Sequence, residues 1–177
     1  MRFEGKSVII TGGGGKIGKA YAVGFAKEGA KVALPDIASA DHVVKAISDM
    51  GGTAISMACD VSDEKSVKAM VDNVAKQFGS VDVLVNNAAY FMTVKKSVFW
   101  EMEVDEFDKA MAVNVRGSWL CAKSAFPYMK QQGKGKIINI SSGTELLARV
   151  MLEGEDQKKI RAMADAIASE IRAEVGK

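Results

Sequence analysis

Histidine is nearly absent from this chain, and cysteine is scarce. One histidine, His42, and two cysteines, Cys59 and Cys121, are spread over 177 residues. Their spacing fits no metal site, so no metal is expected. Two distant cysteines are expected to be small buried thiols, and their scarcity suits a reducing cytoplasm. His42 follows Asp41 at a helix start and reads as an exposed bystander. No apolar run approaches the ~18 residues that a membrane span needs. The opening Met1-Arg2-Phe3-Glu4-Gly5-Lys6 has no apolar leader stretch. No basic run resembles a nucleic-acid footprint, and the formal charge is only +2. Nucleic acid and membrane are therefore set aside as partners. No repeat or low-complexity tract appears, and the length fits one domain over residues 1–177.

What the chain does have is glycine in one decisive place. Ser7-Val8-Ile9-Ile10-Thr11 is an apolar, β-branched run that ends in Gly12-Gly13-Gly14-Gly15. A helical pattern begins at once with Lys16-Ile17-Gly18. Strand, glycine turn and helix N-terminus form a phosphate cradle. Glycine tolerates positive φ, missing side chains let backbone approach an anion, and the free N–H groups of the helix bind it. Asp36 follows about 20 residues on, at the end of the next apolar run, a context that points the glycine turn toward a dinucleotide. The alternative for the glycines alone is a structural turn.

The rest of the chain alternates strand and helix. Lys6–Thr11, Lys31–Leu34, Thr53–Ala58, Val81–Val85 and Lys136–Ser141 read as strands. Lys16–Glu28 reads as a helix stopped by Gly29. A second helix is capped by Asp41 and runs to about Met50. A third is capped by Ser62 or Asp63 and ends at Phe78-Gly79. Residues 90–104 carry no clean period. Tyr90, Phe91, Phe99 and Trp100 there are candidates either for lining an apolar pocket or for packing under a loop. Asp105–Gln132 reads as one long helix with Phe107, Met111, Val115, Ser118, Ala122, Phe126 and Met129 as its stripe. Gly143–Glu153 shows no evident strand, and Glu153–Val175 reads as an amphipathic helix. The expected architecture is α/β: a doubly wound, Rossmann-like parallel sheet of about five strands in order 3-2-1-4-5, closed by that C-terminal helix. Strand five is left at an edge, which makes a homo-oligomer plausible.

Thr11-Gly12…Ile17-Gly18, Asp60-Val61, Asn86-Asn87-Ala88-Ala89, Asn114 and Ile138-Asn139-Ile140-Ser141-Ser142 stand in the order and spacing of a known family. Residues 1 to about 144 resemble the short-chain dehydrogenases/reductases. The resemblance implies an oxidoreductase that moves a hydride between a nicotinamide cofactor and a small alcohol or carbonyl substrate. It places the cofactor on Gly12, Gly15, Lys16, Ile17, Gly18, Asp36, Asp60, Val61, Asn87, Ala88 and Ala89. Asp36 would favour NAD over NADP, since a carboxylate repels a 2′-phosphate. Ser142 and Asn114 match catalytic positions, and Lys159 falls where the family's lysine would stand.

Three departures qualify this. Lys16 replaces the middle glycine of the Thr-Gly-x-x-x-Gly-x-Gly pattern, although Gly12, Gly15 and Gly18 also fit a Thr-Gly-x-x-Gly-x-x-Gly spacing. A lysine there either assists an anion or crowds it. Ala89 stands where glycine is more common. The catalytic tyrosine, due near position 155, is Glu155 instead, and no tyrosine follows Tyr128. Glu155 beside Lys159 in a first helical turn is a poor substitute, because dipole and lysine both favour its ionised form. Residues 145–177 therefore read as an atypical C-terminal segment. The expected function is an oxidoreductase with impaired chemistry. The alternative is a non-catalytic, truncated or engineered NAD-binding module.

Overall fold

The computed structural model describes residues 1–91, 99–142 and 148–152. Five strands run parallel: β1 (Ser7–Ile10), β2 (Lys31–Asp36), β3 (Thr53–Ala58), β4 (Val83–Asn86) and β5 (Lys136–Ser142). Their order in the sheet is β3-β2-β1-β4-β5, as the strand–helix alternation required. Side chains alternate across the sheet because a strand has period two. Val8 and Ile10 join Val32, Leu34, Val83, Val85 and Ile138 on one face. Ile9, Ala33 and Leu84 point to the other. Each face is buried by helices, which is why the strands read as continuous apolar runs.

Helices α1 (Lys16–Lys27) and α2 (Asp41–Asp49) cover the first face through Tyr21, Phe25, Val43 and Ile47. Helix α3 (Glu64–Phe78) covers the second through Val67, Met70, Val71 and Val74. Of the two candidate caps for α3, Asp63 does the work, accepting from the Lys65 N–H at 3.1 Å. Gly79 closes it in the left-handed conformation (φ 85°). Asp41 does not cap α2. Ala40 is the N-cap residue and Asp41 lies in the first turn, where its charge still suits the dipole.

Three expectations are corrected. The long helix is interrupted: α4 (Val104–Met111) leads into a π-helical segment (Ala112–Gly117) and then α5 (Ser118–Gln131). A π turn inserts a residue and shifts the phase of everything beyond it. Beyond the segment the buried face is Leu120, Cys121, Ala125 and Met129. Phe107, Met111, Val115 and Phe126 of the expected inner stripe face solvent, and α4 buries no residue. Second, Ala148–Leu152 forms β6, antiparallel to β5 with Ser142 opposite Ala148 and Ile138 opposite Leu152. Third, β5 is therefore not an edge strand. A bare edge of N–H and C=O groups recruits any nearby run of good strand formers, and Val150-Met151-Leu152 supplies one. The expected helix Glu153–Val175 and residues 92–98 of the aperiodic loop lie outside the described residues. No described helix is long and apolar enough to cross a membrane.

Opposite the strand C-termini, one carboxylate ties the sheet together. Asp82 accepts from the Ser7 N–H (3.1 Å), the Ser80 hydroxyl (2.6 Å) and the Lys6 ammonium (2.9 Å). Burial pushes its pKa up, but these three donors outweigh burial and hold the carboxyl below its ordinary 3.8. A depressed pKa gives stability that is present above pH 3.8 and is lost as pH falls through the folded value. Asp82→Ala leaves these donors without their acceptor and should cost about 2 kcal/mol in urea denaturation at neutral pH. The wild type should lose that margin on acidification below pH 3.8, and the variant should show a flatter acid limb.

Candidate functional site

The C-terminal ends of β1, β2 and β4 converge on the glycine turn. Gly12 has φ +66°, and a Cβ there would lie 3.0 Å from the Ala88 Cα. A Cβ on Gly13 would lie 2.7 Å from the Leu34 Cβ, and one on Gly18 would lie 2.3 Å from the Gly12 carbonyl oxygen. These three glycines are required by packing. Gly15 differs: a Cβ there meets nothing nearer than the Gly12 oxygen at 3.5 Å. Gly15 is the N-cap residue of α1, with no side-chain cap.

The turn is fixed from two sides. From β2, the Pro35 carbonyl accepts from the Gly12 N–H at 2.9 Å. From β4, the Thr11 hydroxyl accepts from the Asn87 and Ala88 N–H groups, both at 3.0 Å. The Asn87 side-chain amide donates to the Thr11 and Gly12 carbonyls at 3.0 and 3.3 Å. Asn86 is buried and joins β4 to its neighbours, donating to the Ser118 carbonyl at 3.1 Å and to Asn139 Oδ1 at 2.9 Å. Its own Oδ1 is buried and accepts nothing among the described residues.

Asp36, Gly14 and the start of α1 form one polar group. Asp36 Oδ2 accepts from the Gly14 N–H at 2.9 Å, and Oδ1 accepts from the Ala38 N–H at 3.0 Å. Each carboxylate oxygen retains capacity for a further donor. The first bond within α1 runs from the Lys19 N–H to the Gly15 carbonyl at 2.8 Å. The N–H groups of Lys16, Ile17 and Gly18 thus have no intrahelical acceptor. A side-chain-free turn, three free N–H groups and a carboxylate with spare capacity suit a ligand carrying both phosphate and hydroxyls. The cradle fits a dinucleotide.

The other candidates fall at different distances from that turn. Asp60 is exposed and holds Ser62, accepting from its N–H at 2.8 Å and its hydroxyl at 2.7 Å. Val61 is buried, and a Cβ on Gly117 would lie 2.8 Å from its Cγ2, so the π segment packs directly on it. Ala89 is exposed. Asn114 lies in the π segment and grips the backbone of Tyr90 from both sides. Its Oδ1 accepts from the Tyr90 N–H at 2.7 Å and its Nδ2 donates to the Tyr90 carbonyl at 3.2 Å. The Tyr90 phenol donates to the Glu106 carboxylate at 3.0 Å. Ser142 ends β5, the strand beside β4. Lys159, Glu155 and residues 92–98 lie outside the described set. Phe91 and Trp100 are exposed.

A model of the short chain dehydrogenases matches residues 6–153. The chain belongs to this family. An uncharacterized oxidoreductase of Thermotoga maritima is 44% identical over 149 residues, covering 83% of this chain and 57% of that protein. The chain thus spans little more than half the length of that relative. A metagenomic short-chain oxidoreductase solved with NADP superposes with a TM-score of 0.77 at 32% identity, over 81% of this chain and 65% of that one. NAD+-bound xylitol dehydrogenase gives a TM-score of 0.74 at 29% identity, over 96% and 63%. Short-chain dehydrogenases are oxidoreductases, and the solved neighbours carry nicotinamide dinucleotides.

Sequence reading named most of this site but missed its fasteners. The Thr11 hydroxyl and the Glu106 partner of Tyr90 were not singled out. A threonine directly before the glycines is the signal that was available for the first. The second pairs residues across the irregular loop, and no local pattern marks it. Both cysteines are buried, as expected, and burial pushes the Cys121 thiol up to about 12.

The glycine geometry separates two substitutions. Gly18→Ala should lower Tm by roughly 5 °C or more, because backbone must move to admit the methyl. Gly15→Ala should leave Tm within about 2 °C, since its Cβ makes only an ordinary contact, 3.5 Å from the Gly12 oxygen, at an N-cap with φ −74°. Thermal melts followed by circular dichroism check both.

Proposed function

We propose that this chain is the cofactor-binding unit of a short-chain oxidoreductase that interconverts a small alcohol and a carbonyl compound, and that it takes NAD in preference to NADP. The observation that carries the reading is Asp36. Its carboxylate ends β2 beside the glycine turn, bonded to the Gly14 N–H, next to the free N–H groups of α1. Gly12, Gly15, Ile17 and Gly18 would face the pyrophosphate, and Asp36 the adenosine ribose. A 2′-phosphate would meet the Asp36 charge. Asp60 and Val61 would flank the adenine, with Asn87, Ala88 and Ala89 along the cleft. The bound nicotinamide supplies or accepts the hydride. Asn114 holds the loop after β4, and Ser142 would orient a substrate carbonyl.

The tyrosine that the resemblance leads one to expect as proton donor does not stand at its expected place in this stretch. No tyrosine follows Tyr128, and position 155 is glutamate. The same observation supports the second reading, a unit that holds the cofactor without turning over substrate. Fluorescence titration should show NADH bound about tenfold or more tighter than NADPH, and Asp36→Ala should remove that preference by relieving charge repulsion. Turnover on a panel of alcohols and ketones should stay at background. Robust turnover that survives Ser142→Ala would refute the site assignment.

A second copy of the chain is the partner we assign to the exposed apolar face of α4 and α5. Phe107, Met111, Val115 and Trp119 are 53%, 43%, 55% and 57% exposed, more than a solitary surface residue explains. Asp108 and Arg116 flank the shallow depression that Met111, Ala112, Val115 and Trp119 line. They stand four residues either side of Ala112, so an antiparallel pairing about Ala112 sets each Asp108 against the other copy's Arg116. Light scattering should give a dimer. Arg116→Asp should weaken it, and adding Asp108→Arg should restore it. A monomer at all concentrations would remove this part of the reading.

A further inference from the structure

We propose that Lys16 is a ligand of the cofactor's pyrophosphate: its ammonium adds a full charge to a cradle otherwise built from backbone N–H groups. The inference rests on the dinucleotide reading above and names a residue that departs from the family's glycine pattern.

Three observations carry it. Lys16 is the first residue of α1, immediately after Gly15, and its N–H is one of the three without an intrahelical acceptor. The chain therefore directs backbone donors and a lysine stem from the same turn of helix. Lys16 is exposed, and among the described residues it forms no ion pair. Only some described lysines are paired, and Lys16 is among those left available. Lys6 meets Asp82 at 2.9 Å, Lys45 meets Asp49 at 2.9 Å, and Lys123 meets Glu64 at 2.7 Å. Finally, the first turn of α1 contains no acidic residue, so nothing on the helix itself competes for the ammonium. The carboxylate of the turn, Asp36, accepts from the Gly14 and Ala38 N–H groups and forms no ion pair with Lys16.

Crowding is the opposing possibility, because a Cβ at position 16 stands where the family carries glycine. Within the protein itself, the turn is not crowded at this point, and the Lys16→Gly variant decides between assistance and crowding of the ligand. Contact is tight at Gly12, Gly13 and Gly18, but the neighbouring Gly15 would gain only one ordinary contact, at 3.5 Å. The stretch Gly15-Lys16 is the part of the turn that faces outward. A flexible lysine there approaches a phosphate as a point charge without displacing backbone.

The test is NADH affinity of the full chain by fluorescence and calorimetry at low and high salt, for the wild type, Lys16→Met, Lys16→Arg and Lys16→Gly. At about 0.02 M salt, Lys16→Met should weaken NADH roughly five- to twentyfold, and the gap should shrink to about twofold at 0.5 M as the charges are screened. Lys16→Arg should remain near the wild type. The same loss should appear with ADP-ribose and not with adenosine, which lacks the pyrophosphate. Thermal melts should coincide, since the side chain is exposed. Lys16→Gly binding as tightly as the wild type or tighter would overturn the proposal in favour of crowding. A Met variant equally weakened at both salts, or weakened for adenosine, would overturn it too. Failure of the wild type to bind NADH at all would instead sink the dinucleotide reading itself.

Discussion

One hydroxyl holds the binding end of this fold together. Thr11 Oγ1 accepts two consecutive N–H groups, from Asn87 and Ala88, at the point where β1 and β4 leave the sheet. Strand ends expose backbone donors that the sheet no longer satisfies, and buried donors must find acceptors. A hydroxyl can accept twice and still donate, which a carbonyl cannot do. With Thr11 in that role, the β4 loop lies against Gly12 so closely that a single methyl group would force them apart. The placement of the glycine turn and of the Asn87 amide follows from that contact.

The site thus combines closure and openness in one short segment. Gly12, Gly13 and Gly18 are glycines for the protein's own packing, while Gly15 and the N–H groups beyond it are available to something else. The chemical complement of the cradle is an anion, and the complement of Asp36 is a hydroxyl. The π segment reaches the loop after β4 as well. Its extra residue brings Asn114 onto the Tyr90 backbone and Gly117 onto Val61. A regular helix from Asp105 to Gln132 would not present both residues in those directions at once.

Much of this was legible in the residues. The strand order followed from alternating apolar runs and helices, because right-handed crossovers leave few alternatives. The glycine turn, Asp36 and the Asn87 loop were marked by residue types whose chemistry is narrow. The long helix was legible in extent and illegible in phase. A π turn leaves no trace in hydrophobic spacing until the phase beyond it is known, so Phe107 and Val115 were assigned inward when they face out. β6 was missed for a different reason. Leu146-Leu147 and Val150-Met151-Leu152 have no period-two alternation, and their pairing is dictated by the edge of β5 rather than by their own pattern. Thr11 was visible as a residue but not as a fastener, because its partners lie more than seventy positions away.

The Asp82 cluster described at the opposite end of the sheet gives the molecule a polarity. There, Lys6, Ser7 and Ser80 all converge on one carboxylate, and the strand starts are closed off from further bonding. At the other end the N–H groups of the first turn of α1 have no acceptor among the described residues. The Asp82 anchorage and the unpartnered donors therefore occupy opposite rims of the same four-residue strands β1 and β4. Sequence drift at the anchoring rim changes how firmly the sheet is held and leaves the chemistry of the binding rim untouched. Such a division lets one scaffold keep its sheet while its ligand preferences change.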